Sequence, residues 1–135
     1  MEIKIRAWDK YDKVMCEVRG INWLEEIALC APILPNRKAI AYRWKSIEDF
    51  EFMLFTGKQD KNKKDIYDGD IGRYQTAYVK NQKQEYGYRY ILIKFDISSL
   101  EKIQQLLIIS NLISQNNLEI IGNIYQNPEL LESGK

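Results

Sequence analysis

Asp68 and Asp70 flank Gly69 in the run Ile66-Tyr67-Asp68-Gly69-Asp70-Ile71. Two carboxylates on a turn can hold a divalent cation, or act as acid and base. They can equally accept backbone N–H groups and aim the strand that follows, and this structural role is the one expected here. The rest of the chain gives such a pair little support. It contains no histidine, so the commonest metal ligand and near-neutral proton shuttle is missing. Cys16 and Cys30 are too far apart for a chelating pair, which argues against zinc. They read as small buried hydrophobes in a reducing compartment, with a disulfide between them as the alternative. Neither Gly69 nor Gly72 belongs to a phosphate-cradling loop. No catalytic residue, cofactor or metal is therefore expected, and the chain is not read as an enzyme.

Two further groups could make contacts. The basic run from Lys58 to Lys64 is a solvated loop, or a site for phosphate or an acidic partner. Five tyrosines crowd the stretch from Tyr74 to Tyr90. A hairpin is expected with strands Arg73–Lys80 and Tyr86–Phe95 around a loop from Asn81 to Glu85. Pairing Val79 with Gly87 sets Tyr78 opposite Tyr88 and Thr76 opposite Tyr90. Tyr74, Tyr78, Tyr86, Tyr88 and Tyr90 then share one face with Leu92. Such a face can be core packing, a subunit or partner interface, or a stacking platform for single-stranded nucleic acid flanked by Lys80, Lys83 and Arg89. Tyr74, Tyr78, Tyr88, Tyr90, Arg89 and Lys80 form the candidate interaction surface.

The 135 residues allow one sizeable core, and 45% hydrophobic with 29% charged residues is ordinary for a soluble globular chain. A net charge of +1 supplies no global field for nucleic acid or an anionic membrane. The opening residues form a strand pattern instead of a secretory signal, and no apolar run is long enough to span a bilayer. A soluble, cytoplasmic protein is expected.

Alternation from Glu2 to Trp8 gives a half-buried strand with Ile3, Ile5 and Ala7 on one side. It returns as Val14–Arg19 after a loop from Lys10 to Lys13, and Gly20 ends it. Matching apolar faces sets Ile5 opposite Val18, Arg6 opposite Glu17 and Ala7 opposite Cys16. The stretch from Ile21 to Leu34 fits neither helical nor strand period. Asn36-Arg37-Lys38 reads as a turn, Ala39–Trp44 as a short strand, and Phe50–Phe55 as a strong aromatic strand. In the polar loop, Asn62 is expected to adopt positive φ, and Gly57 and Gly69 suit conformations other residues resist. Ser98 with Glu101 makes a capping box for a helix at about 99–114, stopped by Asn116-Asn117. Leu118–Ile121 is a closing strand, and Asn127-Pro128-Glu129 starts a terminal helical turn.

Three segments together resemble the YopX family of small phage and prophage proteins: Glu2-Ile3-Lys4-Ile5-Arg6-Ala7-Trp8-Asp9-Lys10, the polar stretch Thr56 to Ile71, and Ile120 to Leu131. The signature turn carries Thr56, Gly57, Asp60, Asn62, Ile66, Tyr67, Asp68, Gly69 and Asp70. Against the family pattern, Lys63 stands where Gly is usual, Asp68 where Glu is usual, and Gly72 where Val is usual. The resemblance implies a mainly-β domain over 1–131. An N-terminal hairpin region (1–49) would pack on an SH3-like, partly open barrel (50–131), with a disordered tail at 132–135. It also implies a non-enzymatic phage accessory protein in the host cytoplasm. Little net charge and a large aromatic surface favour a homo-oligomer, with the C-terminal helix or the tyrosine hairpin at the contact; a host protein is the other partner expected. A weak nucleic-acid-binding role is the alternative, and no membrane is involved.

Overall fold

The computed structural model describes residues 4–36, 38, 39 and 41–133. Two compact units part between Phe55 and Thr56. The expected division at 49/50 instead falls where a long strand begins.

In the first unit, β1 (Ile5–Asp9), β2 (Val14–Asn22), β3 (Ile27–Pro32), β4 (Arg43–Ser46) and β5 (Phe50–Gln59) pair in the order β4-β3-β2-β1-β5. The β1–β2 register is the expected one, with Ile5 opposite Val18, Arg6 opposite Glu17 and Ala7 opposite Cys16. Glu2 and Ile3 lie outside the described residues, as do Arg37 and Ile40. Gly20 does not end β2. The ladder shifts between Val18 and Gly20, a bulge at Arg19, and then continues to Asn22 opposite Ile27. The stretch with no clear period is therefore a second hairpin, whose turn is closed by Glu26 at φ 56. Its irregular pattern follows from the bulge, which changes which side chains face the core. The strand expected at Ala39–Trp44 forms only from Arg43, as β4, and runs on to Ser46, whose hydroxyl caps a single 3-10 turn that leads into β5. Ala7, Cys16, Ala28, Cys30 and Phe50 form this unit's core.

The second unit holds the end of β5, its neighbour β6 (Asp65–Tyr67), and a three-stranded sheet. That sheet comprises β7 (Asp70–Lys80), β8 (Lys83–Leu92) and β9 (Glu119–Asn123) in the order β8-β7-β9. One helix, α1 (Leu100–Ser114), joins β8 to β9, and a short α2 (Glu129–Ser133) follows and touches β8. Ile66, Ile93, Ile109, Leu112, Leu118 and Ile120 make the core, with Tyr74, Ile91 and Ile113 against it. Gly72 belongs to this packing, since a Cβ there would strike Leu118. The fold is mainly β with one late helix, as expected, and among the described residues neither sheet closes into a barrel.

Local sequence explains the ends of α1. Ser99, not Ser98, is the N-cap; its hydroxyl accepts the Lys102 N–H, while Asp96 takes the Ser98 N–H. At the other end Asn116 adopts φ 56. The Asn116 N–H then reaches the Ile113 carbonyl and the Asn117 N–H the Leu112 carbonyl, a Schellman closure built on asparagine. The Asn117 side chain continues the β9 ladder by exchanging two hydrogen bonds with the backbone of Gln75, at 2.9 and 3.1 Å. β9 accordingly begins at Glu119, one residue past the expected start. Glu132 and Ser133 belong to α2 and not to a disordered tail, and residues 134 and 135 lie outside the described residues.

Positive φ in the polar loop falls on Lys63 (φ 66), not on Asn62. Gly69 has φ 95. Replacing Gly69 by Ala should destabilise the protein by more than about 1 kcal/mol, because a Cβ is strained there. Lys63→Gly should raise stability by roughly 0.5 kcal/mol, the relief of left-handed strain exceeding the added freedom of the unfolded chain. Urea unfolding of the two variants checks the pair, and shifts of the same sign would contradict it.

Candidate functional site

The signature turn is organised by Asp60, a carboxylate only 6% exposed. Its Oδ1 accepts the N–H groups of Asn62 (2.8 Å) and Lys64 (2.9 Å), and its Oδ2 accepts that of Ile120 in β9 (2.8 Å). The Lys61 N–H donates to the Leu118 carbonyl. Downstream, the Asp70 carboxylate accepts the Tyr67 N–H and Asp68 that of Phe95. Gly69 donates to Ile93 and accepts from Ile124. Ile66 is fully buried in the core, whereas Tyr67 is half-buried. The Thr56 hydroxyl accepts the Lys58 N–H just before Gly57, which has φ 82. These groups meet backbone, and among the described residues no cluster of three or more Cys, Asp or Glu could hold a metal ion.

The tyrosines fall differently from expectation. The loop is a two-residue turn, Asn81–Gln82, with both φ values positive (53 and 63). Lys80 therefore opposes Lys83, Tyr78 opposes Glu85, Thr76 opposes Gly87 and Tyr74 opposes Arg89. Against the expected pairing the register moves by three residues, an odd number, so one strand's faces invert relative to the other's. Tyr74 and Tyr78 share a face with Lys80, Lys83, Glu85 and Arg89; Tyr86, Tyr88 and Tyr90 lie on the other with Arg73. Tyr74 packs into the core. Tyr78 covers Gly87 and donates its hydroxyl to Glu85, which raises the phenol pKa. Tyr86 and Tyr88 are 62% and 57% exposed, and Tyr90 is half-buried. The Arg73 guanidinium lies 4.7 Å from the Tyr88 ring centre and pairs with Glu119, which also accepts the Asn62 amide. The Asn62 amide and then Arg73 hold the Glu119 carboxyl below its usual range.

A second surface lies on the late helix, which the sequence offered, beside the tyrosine hairpin, as a contact for self-association. Leu100, Ile103 and Leu107 project from the outer side of α1, with Ile108 on its flank and Phe95 and Ile97 exposed just upstream. A groove of about 290 Å3 runs along the helix, lined chiefly by Ile66, Ile93, Phe95, Leu106, Ile109 and Ile113, with Lys58 on it. The signal was present in the sequence, since no charged residue occurs from Ile103 to Leu118.

In the first unit, Asp9 is a buried carboxylate whose Oδ1 accepts the N–H groups of Tyr11 and Asp12. Lys45 bridges Asp9 (2.8 Å) and Asp12 (2.9 Å). Burial pushes the Asp9 carboxyl upward, but the Lys45 ammonium and the two N–H donors outweigh it and hold the carboxyl below its usual value. The same contacts, Asp9 before Asp12, raise Lys45. Cys16 and Cys30 line the adjoining pocket as free thiols, pushed by burial up to about 11 and about 12. Nothing local foretells this cluster, because Lys45 arrives from a strand far along the chain.

These features define a small mainly-β protein whose signature turn is a structural lock and which leaves apolar side chains exposed on α1 and tyrosines exposed on the β7–β8 hairpin. The YopX protein family model matches residues 4–132, and the chain belongs to that family. Protein EF1440 from Enterococcus faecalis has a similar fold, with TM-score 0.54 and 23% identity over 97% of this chain and 99% of that one. No curated protein matches. Among the described residues, no helix is long and apolar enough to cross a membrane.

The Asp9–Lys45 pair makes a pH prediction. Because the folded pKa of Asp9 is depressed, its stabilisation is present above the unfolded value of about 3.9 and lost as pH falls through the folded one. Lys45 is raised, so its share is present below about 10.4 and lost only as pH rises through its folded value. Lys45→Met should cost about 2 kcal/mol at pH 7 by leaving a buried carboxylate unpaired. Asp9→Asn should flatten the fall of Tm between about pH 4 and pH 2. An acid limb of unchanged slope in Asp9→Asn would contradict this.

Proposed function

We propose that the chain is a phage- or prophage-encoded accessory module that works in the host cytoplasm by protein–protein contact, self-association first, and not by catalysis. The observation that carries this reading is the outer face of α1. On that face Leu100, Ile103, Leu107 and Ile108, with Phe95 and Ile97 just upstream of the helix, together leave roughly 600 Å2 of apolar side chain in solvent, at about 150–200 Å2 per fully exposed large side chain. A monomer rarely leaves contiguous apolar patches of more than a few hundred Å2 bare. A standard interface covers about 800 Å2 per partner, rim included. A second copy of this chain suits the patch. From Ile103 onward the helix carries no charge, so two copies meet there without like-charge repulsion, and Glu101 and Lys102 at its start are of opposite sign. Nucleic-acid binding is the alternative. Lys80 and Arg89 are exposed and share a face with Tyr78, which favours it. Against it, the exposed Tyr86 and Tyr88 lie on the opposite face, where Arg73 is already paired with Glu119.

Sedimentation over a hundredfold range of concentration tests the reading. The wild type should associate with little change between low and high salt, and Leu107→Glu should lower the association at least about tenfold while leaving the circular dichroism intact. Strictly monomeric wild type, or binding to a single-stranded oligonucleotide that collapses with salt, would overturn it.

A further inference from the structure

The β7–β8 hairpin outruns its sheet. β9 pairs with β7 only as far as Arg73, and the Asn117 side chain extends the ladder to Gln75. From Thr76 to Gly87 the hairpin is a two-stranded ribbon, which is marginal in water on its own. It nonetheless carries Tyr78, Val79, Tyr86 and Tyr88 largely exposed. Its outer strand, β8, ends the strand order and is a long edge of the kind that pairs with another chain.

The register fixes which backbone groups face outward. The Ile93 N–H donates to Asp70 on the β7 side, and the two-residue turn makes Lys80–Lys83 a hydrogen-bonded pair. Odd-numbered residues of β8 therefore turn their N–H and C=O groups toward β7, and Gln84, Tyr86, Tyr88 and Tyr90 turn theirs to the open edge. The open-edge stretch reads Glu85-Tyr86-Gly87-Tyr88-Arg89, nearly symmetric about Gly87 with opposite charges at its ends.

We propose that β8 is a self-recognition edge that pairs antiparallel with β8 of a second copy about a twofold axis at Gly87. Tyr86 of each copy exchanges both backbone hydrogen bonds with Tyr88 of the other, and Glu85 of each stands opposite Arg89 of the other. Charge selects this register. Centring on Tyr88 instead would set Glu85 against Ile91 and Arg89 against Gly87, with no ion pair. The Tyr78 hydroxyl already holds Glu85 from within its own chain. The centre of the contact, Glu85 to Arg89, stays clear of Tyr90, Ile91 and Leu92, which line a pocket together with Glu101, Lys102 and Gln105 of α1, while α2 also touches β8. It uses no residue of the outer α1 face, so it stands apart from the contact assigned to that face.

Sedimentation in the Leu107→Glu background isolates it. Glu85→Arg should weaken the remaining dimer at least about tenfold by opposing like charges, and adding Arg89→Glu should restore it. An independent readout uses two proteins with one added cysteine each, Tyr86→Cys and Tyr88→Cys, in which the native Cys16 and Cys30 are buried. Under mild oxidation the mixture should form disulfide-linked dimers far faster than either protein alone, because only the mixture sets the two new thiols opposite each other. The inference is overturned if Leu107→Glu protein is monomeric, which would leave the α1 contact standing alone. It is equally overturned if dimers persist with no response to the charge swap, or if the separate cysteine proteins cross-link as readily as their mixture.

Discussion

The carboxylate of Asp60 is the constraint on which the second unit depends. One of its oxygens gathers the N–H groups of Asn62 and Lys64, so the polar loop closes on itself; the other reaches the N–H of Ile120. The buried carboxylate is compensated by three backbone donors, which keeps its charge tolerable without a cation. Removing it would leave N–H groups unpaired, at about 1–3 kcal/mol each. The loop positions β9 through this residue, and β9 positions Leu118 in the space Gly72 leaves open. A loop rich in lysine is thus an organiser of the core beneath it.

From β9 the order passes outward. Glu119 receives Asn62 from the signature loop and Arg73 from the sheet, and Arg73 lies over Tyr88. A side chain of the loop is therefore three contacts from an exposed tyrosine of the hairpin. The family's signature and the aromatic hairpin are thus joined by one polar chain on one face of the sheet.

Much of this was legible in the sequence. The β1–β2 register followed from apolar faces and one charge pair. The late helix followed from its cap region and its asparagine stop, although Ser99 took the cap that Ser98 was expected to fill. The errors have physical causes. The Arg19 bulge erased the period-two signal of β2, so a hairpin looked irregular. Asn81–Gln82 lacks the Gly usual in a two-residue turn, and a longer loop was the natural reading; that one choice put five tyrosines on a common face. Lys63 rather than Asn62 took the left-handed position, because Asp60 fixes the turn from outside the two residues that compete for it. The Asp9–Lys45 pair depends wholly on strand placement, and the α1 surface on which side of a helix the sheet leaves uncovered.

The division at Phe55 has an optical consequence. All three tryptophans, Trp8, Trp23 and Trp44, and both cysteines belong to the first unit, while seven of the nine tyrosines belong to the second. Indole fluorescence and thiol labelling consequently watch one unit, and phenol absorbance watches mainly the other. The chain thus carries separate natural reporters for its two halves, and whether they melt as one body can be read from the unmodified protein by comparing two wavelengths.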